Sequence, residues 1–447
     1  MKWEDIQKQV IQQALDMGFS DCEMHYDKTE AFEVMVMEGE VNNYENSSTQ
    51  GIAFRGNFEN KTGYAYTEQL TEEGLADLLH TAKENAQLLC ETQKETLYPP
   101  ELQYPTLQCE NEMLERLTPE EKILAAKKME TAAMHTELPI ASIDYCVLGT
   151  YRNQTAIANS FGLSLSFCRN GATAYVSAIA KNGDEVKTGS DFWKGNDWKT
   201  FDPTQTGKCA AERAASHLGA KTITSGKYDV VLDKAVMASF LGVYSGVFYA
   251  EQVQKGFSLL KDKVGEKIAS DCVTLHDNPL LENGYASTPF DSEGVACYDK
   301  AVIQNGILQT YLYNRKAAQK DGVSSTGNGF KAGLQAPVKT AATNFYIEKG
   351  TKSQEMLLQD MENGLLITDI SGLHAGANTI SGDFSLLAEG FCIENGKKAY
   401  PVEQITIAGN FYKLLEQIQE VGNDLFFAQS GKGSPSVRVT KMDIAGE

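Results

Sequence analysis

Apolar and polar positions along this chain follow two periods, one helical and one strand-like. Trp3, Ile6, Val10, Leu15 and Met17 fall near one side of a helical wheel, which predicts an amphipathic N-terminal helix stopped by Gly18. Residues 31–56 (AFEVMVMEGEVNNYENSSTQGIAFRG) alternate as strands broken by turn residues. Residues 71–90 predict a second helix with Thr71 as its N-cap and Cys90 as its last residue, and the three prolines within residues 97–108 predict an extended connection. Thr118, Pro119 and Glu121 form a capping-box start for a third helix. Residues 164–189 read as a meander with tight turns at Asn170-Gly171 and Asn182-Gly183, because Asn-Gly tolerates the positive φ of short hairpins. Asp202-Pro203 opens a further helix that runs to His217.

The stretch GAKTITSGK, residues 219–227, is the expected boundary between an N-terminal domain, 1–222, and a C-terminal domain, 223–447. From about residue 110 the first domain turns into a helical and meander segment. The second domain opens with a strand at 228–233 and a helix at 234–254, then becomes mostly strands with turns. Asn305-Gly306 and Asn395-Gly396 mark hairpins, and residues 353–363 and 411–421 predict two helices. No fixed-period repeat is present.

Composition narrows the class. At 447 residues, 42% hydrophobic and 22% charged, the chain has the make-up of a globular protein of two or three domains. No apolar run approaches the roughly 18 residues of a membrane span, and the N-terminus lacks the pattern of a signal peptide, so a cytoplasmic protein is expected. Nine cysteines without a CxxC pair predict reduced thiols rather than a disulfide scaffold or zinc ribbon. A net charge of −20 argues against direct nucleic-acid contact.

Candidate chemistry is sparse. No two of the six histidines lie within four residues of each other, so no helix offers paired imidazoles and no metal site is expected. There is no GxSxG elbow, and Cys297 and Cys392 have no histidine nearby in sequence. Asp291 and Glu293, in PFDSEG, are two apart; a strand would put both on one face for acid–base or cation chemistry, and a turn or interface is the other reading. STGNGFKAG, with Gly327, Gly329 and Gly333, is glycine-rich but lacks the Lys-Ser/Thr ending of a phosphate loop, and is expected to be a mobile loop. In GLHAGANTISGDFSL, His374, Asn378 and Asp383 could serve a peptide held by β-augmentation at an edge strand, or the run could form a hairpin at a subunit contact.

Several stretches of the second half, taken in order, resemble one family. They are KGFSLLKDKVGEKIAS at 255–270, STPFDSEGVACYDKAVIQNGILQTYLYN at 287–314 and TNFYIEKGTKSQEML at 343–357. The run GLHAGANTISGDFSLLAEGFCIENGKKAYPVEQITIAGN at 372–410 and VRVTKMDIAG at 437–446 complete the set. Together they are similar to the TldD/PmbA family (peptidase U62, modulator of DNA gyrase), in its PmbA/TldE branch. The resemblance implies an α+β fold: an N-terminal α/β domain followed by a C-terminal domain rich in antiparallel strands, barrel- or sandwich-like. The other branch carries HExxxH on a helix and a cysteine ligand in a CGK-like context. Here the corresponding stretches are Tyr249-Ala250-Glu251-Gln252-Val253-Gln254, followed by Lys255-Gly256, and Ser430-Gly431-Lys432. Glu251 then either stands in the place of the general-base glutamate or is a solvated carboxylate at a helix end.

In this family a metal-bearing and a metal-free protein form a cytoplasmic complex that cleaves unfolded peptides. The resemblance implies that this chain is the metal-free subunit, with zinc in a TldD-like partner. Two alternatives stay open. One is a peptidase in its own right, with a cleft around Glu251, His374, Asn378 and Asp383. The other is a non-enzymatic peptide-binding or regulatory homodimer.

Overall fold

The computed structural model describes residues 3–89 and 96–447; Cys90, the expected end of the second helix, lies outside them. The first half runs α1 (Trp3–Asp16), β1 (Asp21–Met37), β2 (Glu40–Phe58), β3 (Lys61–Thr67), α2 (Glu72–Leu88), α3 (Glu112–Arg116), α4 (Pro119–Met134), β4 (Ile140–Asn159), β5 (Ser164–Asn182), β6 (Glu185–Gly195) and α5 (Pro203–Ser216). Its strands form one sheet in the order β3-β2-β1-β4-β5-β6, and every neighbouring pair is antiparallel.

Strand parity decides what each face does. Even-numbered residues of β1 (Cys22, Met24, Tyr26, Phe32, Val34, Val36) and of β4 (Cys146, Leu148, Ala156, Ala158) are buried under helices. One group packs against α1 and α2, the other against α4 and α5. The two helix pairs therefore lie side by side on the same face. Odd-numbered residues of both strands face the other way. Within α1 the buried stripe is Trp3, Ile6, Gln7, Val10 and Ala14, and Leu15, expected there, is 39% exposed. Gly18 stops the helix with φ +94°. Thr71 caps α2, and Thr118 with Glu121 closes the capping box of α4.

The second half continues with β7 (Gly226–Leu232), α6 (Lys234–Tyr244), α7 (Ala250–Gln254), β8 (Leu275–Asp277), β9 (Lys300–Gln304), β10 (Ile307–Leu308), α8 (Arg315–Asp321), β11 (Gly329–Lys331), β12 (Val338–Thr340), β13 (Phe345–Ile347), α9 (Gln354–Met361) and β14 (Gly364–Ser371). It ends with α10 (Leu373–Gly376), β15 (Asp383–Glu394), β16 (Lys397–Asn410), α11 (Phe411–Gln417), β17 (Ile418–Val421), β18 (Phe426–Phe427), β19 (Lys432–Ser434) and β20 (Val437–Ala445). β16 pairs with β20 as well as with β15, so β16-β15-β14-β7-β20 close on themselves as a barrel. A second sheet has the order β10-β9-β8-β13-β19-β18. The core helix α6 contributes Val236, Met237, Phe240, Leu241 and Tyr244 to the main core of this half. β7 and β14 are buried on both faces, because Val231 and Leu366 pack under α9 on the side away from that core. This is why VVL and LLI read as unbroken apolar runs.

Three predicted elements are corrected. Residues 164–182 form one strand that passes straight through Asn170-Gly171. Asn170 is buried and its amide exchanges hydrogen bonds with the main chain of Asn111, while Gly171 lets the Tyr151 ring lie against the strand. The helix expected over 234–254 is broken between α6 and α7, because Tyr249 is extended and bridges to Leu312. The helix expected over 411–421 ends at Gln417, and Ile418–Val421 pairs with β20 instead. The turns at Asn305-Gly306 and Asn395-Gly396 have positive φ at both residues, and Gly183 leads the β5–β6 turn at φ +62°.

Candidate functional site

The odd-numbered face of the first sheet is the floor of a cleft of about 340 Å³ between the two halves. His25 and Asp27 come from β1, Asn153, Thr155 and Ile157 from β4, and Phe167 and Arg169 from β5. The walls are loops of the second half, residues 286–288, 290–292 and 341–343 with Leu334, together with Phe330 and Lys331 of β11. None of the four cleft candidates read from sequence lies here.

Two polar clusters hold this cleft in shape. On the floor side, Glu23 is fully buried. Arg55 reaches its Oε1 at 2.7 Å and His25 at 3.2 Å, and Asn159 donates to Oε2. Desolvation pushes this carboxyl up, but Arg55 and the hydrogen bonds outweigh it and hold it at about 2. Burial pushes His25 down, so the imidazole is neutral at physiological pH. On the wall side, Asp291 accepts from the N–H groups of Glu293, Val295 and Gly329, which ties the PFDSEG turn to β11. Burial, then the charge of Glu293, raise Asp291 to about 8, against the pull of those donors. Glu293 accepts from the N–H of Arg315 at the start of α8. Both carboxyls thus point inward from a turn, not from a strand.

A buried network behind the wall fixes residues 341–343. Asp277 Oδ1 accepts from the N–H and hydroxyl of Thr343, and its Oδ2 accepts from Lys300 at 3.1 Å and Asn328 at 2.7 Å. Asn328 also donates to the Ala341 carbonyl. STGNGFKAG is therefore packed at its centre, with Asn328 fully buried and Gly329 in a strand.

Both stretches that the resemblance pairs with metal ligands meet the chain next to this wall. Glu251, half-buried in the first turn of α7, accepts from the N–H of Thr340 at 3.0 Å. Lys432, 8% exposed, donates to the carbonyls of Ala342 and Thr343, and burial lowers its pKa to about 8. With Glu251 on the glutamate of HExxxH, the histidine positions fall on buried Ala250 and exposed Lys255. A methyl group and a cationic ammonium do not coordinate zinc. Among the described residues, no three His, Cys, Asp or Glu side chains are grouped to hold a metal ion. The residues present do not fit the family's zinc.

The other sequence candidates lie elsewhere. Asn378 accepts from the N–H groups of Ile380 and Ser381, and its own N–H donates to the Asp383 carbonyl. Asp383 accepts from Asn410 and borders a separate depression of about 310 Å³ with Lys227, Lys413 and Lys441. His374 is exposed on α10. No hydrogen bond or ion pair among the described residues joins Glu251 to these three. The strand beside this loop is not an edge: Phe384 pairs with Gly409 on one side and bridges to Ala377 on the other. The sequence reading passed over His25, Asp27 and Arg169. A period-2 reading of DCEMHYDK would have put Glu23, His25 and Asp27 on one face, but only the pairing shows what that face meets.

Comparison with known proteins accounts for nearly all of the chain. Family models match PmbA/TldA metallopeptidase domain 1 at residues 26–86, the central domain at 112–218 and the C-terminal domain at 225–446. Metalloprotease PmbA of Escherichia coli O157:H7 is 29% identical, with 99% of this chain and 96% of that protein covered. The crystal structure of a proposed modulator of a DNA gyrase from Thermotoga maritima is 33% identical, with a TM-score of 0.92 over 99% of this chain and 100% of that one. TldE from Thermococcus kodakarensis shares the fold at a TM-score of 0.91 and 22% identity, over 99% of this chain and 100% of that one. The chain is a member of the PmbA/TldD metallopeptidase family.

Proposed function

We propose that this chain is the metal-free subunit of a TldD/PmbA-type metallopeptidase complex that degrades or processes unfolded peptides in the cytoplasm. The partner is a TldD-like subunit that carries the zinc and performs the hydrolysis, and this chain helps shape the cleft. The observation that carries the reading is α7: Glu251 is committed to the Thr340 N–H and is flanked by Ala250 and Lys255 where HExxxH has histidines. A glutamate without a metal-bound water beside it has no activated nucleophile to make.

The test is zinc binding. Full-length protein is dialysed against zinc and its metal content read by elemental mass spectrometry, with cleavage of an unfolded peptide followed in parallel. The reading predicts no stoichiometric zinc and no cleavage by this chain alone. One zinc per chain with chelator-sensitive cleavage would establish the opposite, a peptidase in its own right.

A further inference from the structure

We infer that Asn182 is a site of spontaneous deamidation and isoaspartate formation, and that the fold protects every other Asn-Gly pair of the chain from this reaction. The chemistry is intramolecular and consumes only water, so it calls on no metal, cofactor or partner.

The reaction joins an asparagine side chain to the amide that follows it. The main-chain nitrogen of the next residue, its proton removed by base, attacks the side-chain carbonyl carbon. The new C–N bond closes a five-membered succinimide, and the side-chain nitrogen leaves as ammonia. Water then opens the ring. Attack at one carbonyl gives aspartate; attack at the other gives isoaspartate, whose main chain runs through the former side chain and is longer by a methylene. Glycine favours the step because it puts no Cβ beside the attacking nitrogen and leaves the backbone free to turn. Both the glycine N–H and the asparagine side chain must be released from other bonds.

Of the seven Asn-Gly pairs in the chain, six lack one of these freedoms. Four glycine N–H groups are committed: Gly284 to the Leu281 carbonyl at 3.0 Å, Gly306 to that of Val273 at 2.9 Å, Gly396 to that of Glu362 at 2.7 Å and Gly329 to Asp291 Oδ2 at 2.8 Å. Two asparagine side chains are held, Asn170 by the main chain of Asn111 and Asn363 through its Oδ1, which accepts from the Asn395 N–H. Their glycines, Gly171 and Gly364, lie in β5 and β14. Asn182-Gly183 differs in each respect. It forms the exposed turn between β5 and β6, where Asn182 pairs with Glu185. Among the described residues, neither the Asn182 side chain nor the Gly183 N–H makes a hydrogen bond. A Cβ on Gly183 would meet nothing within 4 Å, so the turn has room to rotate into the attacking geometry. Either product adds a carboxylate beside Asp184 and Glu185. Isoaspartate also lengthens the turn from which Glu185 reaches the Gly219 N–H.

The test is incubation of the full-length protein for days at pH 7 and at pH 9, followed by peptide mapping in a mass spectrometer with an unincubated digest as the blank. Isoaspartate is counted separately, by methyl transfer from S-adenosylmethionine with a protein isoaspartate methyltransferase. In the folded protein Asn182 should convert about tenfold faster than any other Asn-Gly pair, the factor set by one hydrogen bond that the others must first open. Its rate should rise with pH, because the attacking nitrogen must lose its proton. In guanidinium chloride all the pairs should convert at similar rates, since protection by the fold is gone. Asn182→Gln should remove most of the methyl acceptance of the folded protein. The proposal is overturned if Asn182 stays intact in the folded protein while the unfolded chain reacts, or if another pair converts as fast in the folded protein. A rate independent of pH, or a glutamine variant that accepts as much methyl as the parent, would overturn it too.

Discussion

Glu23 shows how one buried carboxylate contributes to the acid response of the molecule. Its folded pKa, about 2, lies below its ordinary value of 4.5. A depressed carboxyl contributes stability that is complete above the unfolded value and is lost as pH falls from about 4.5 towards 2. Urea unfolding from pH 6 to pH 2.5 should therefore show a loss that is smaller in Glu23→Gln; an identical pH profile in that variant would contradict the assignment. Asp291→Asn tests the wall. An amide has one acceptor oxygen, so its NH₂ would oppose either the Gly329 N–H or the N–H groups of Glu293 and Val295. The expected loss is about 1–3 kcal/mol in urea unfolding, and a variant as stable as the parent would show that these bonds do not matter. Lys300→Met would remove the ion-pair partner of the fully buried Asp277, at an expected cost of about 3–5 kcal/mol by the same measurement. These roles were hidden in the sequence. Asp291 and Glu293 stood out as a pair, but nothing local says that the first would bind Gly329, 38 residues on.

At the scale of elements, the chain announces what local chemistry controls. The caps at Thr71 and Thr118, the Asn-Gly hairpins at 305 and 395, and the Gly18 stop all follow from side chains and φ angles within a few residues. Asn170-Gly171 carries the same signal and forms no turn, because Asn111 and Tyr151, both distant in sequence, use the two residues otherwise. Gly207 makes a similar point within a helix. Glycine inside a helix is ordinarily about 1 kcal/mol worse than alanine. Here a Cβ would lie 2.3 Å from the Met129 carbonyl oxygen of α4, so α4 and α5 would have to separate. Gly207→Ala should lower stability by about 1–3 kcal/mol in thermal or urea unfolding. A rise in stability would mean that the two helices are free to move apart.

At the scale of the molecule, the halves are tied together at many points. Arg315 donates to the carbonyls of Thr96 and Leu97, Tyr104 to that of Gly294 and Tyr285 to that of Lys194. Lys187 pairs with Glu403. The cleft floor comes from one half and its walls from the other, so its shape depends on this docking. The resemblance implied two halves but not this layout, since strand alternation does not reveal which distant surface a polar face will meet. The central claim is that such a body acts as the metal-free member of a peptidase pair. Its most direct test is cleavage of an unfolded peptide by this chain, by a zinc-bearing TldD-like partner, and by a titrated mixture of the two. The account predicts no cleavage by this chain alone, with activity that appears or rises sharply on mixing and saturates at a fixed ratio. Activity of the partner that is unchanged by any amount of this chain would contradict it.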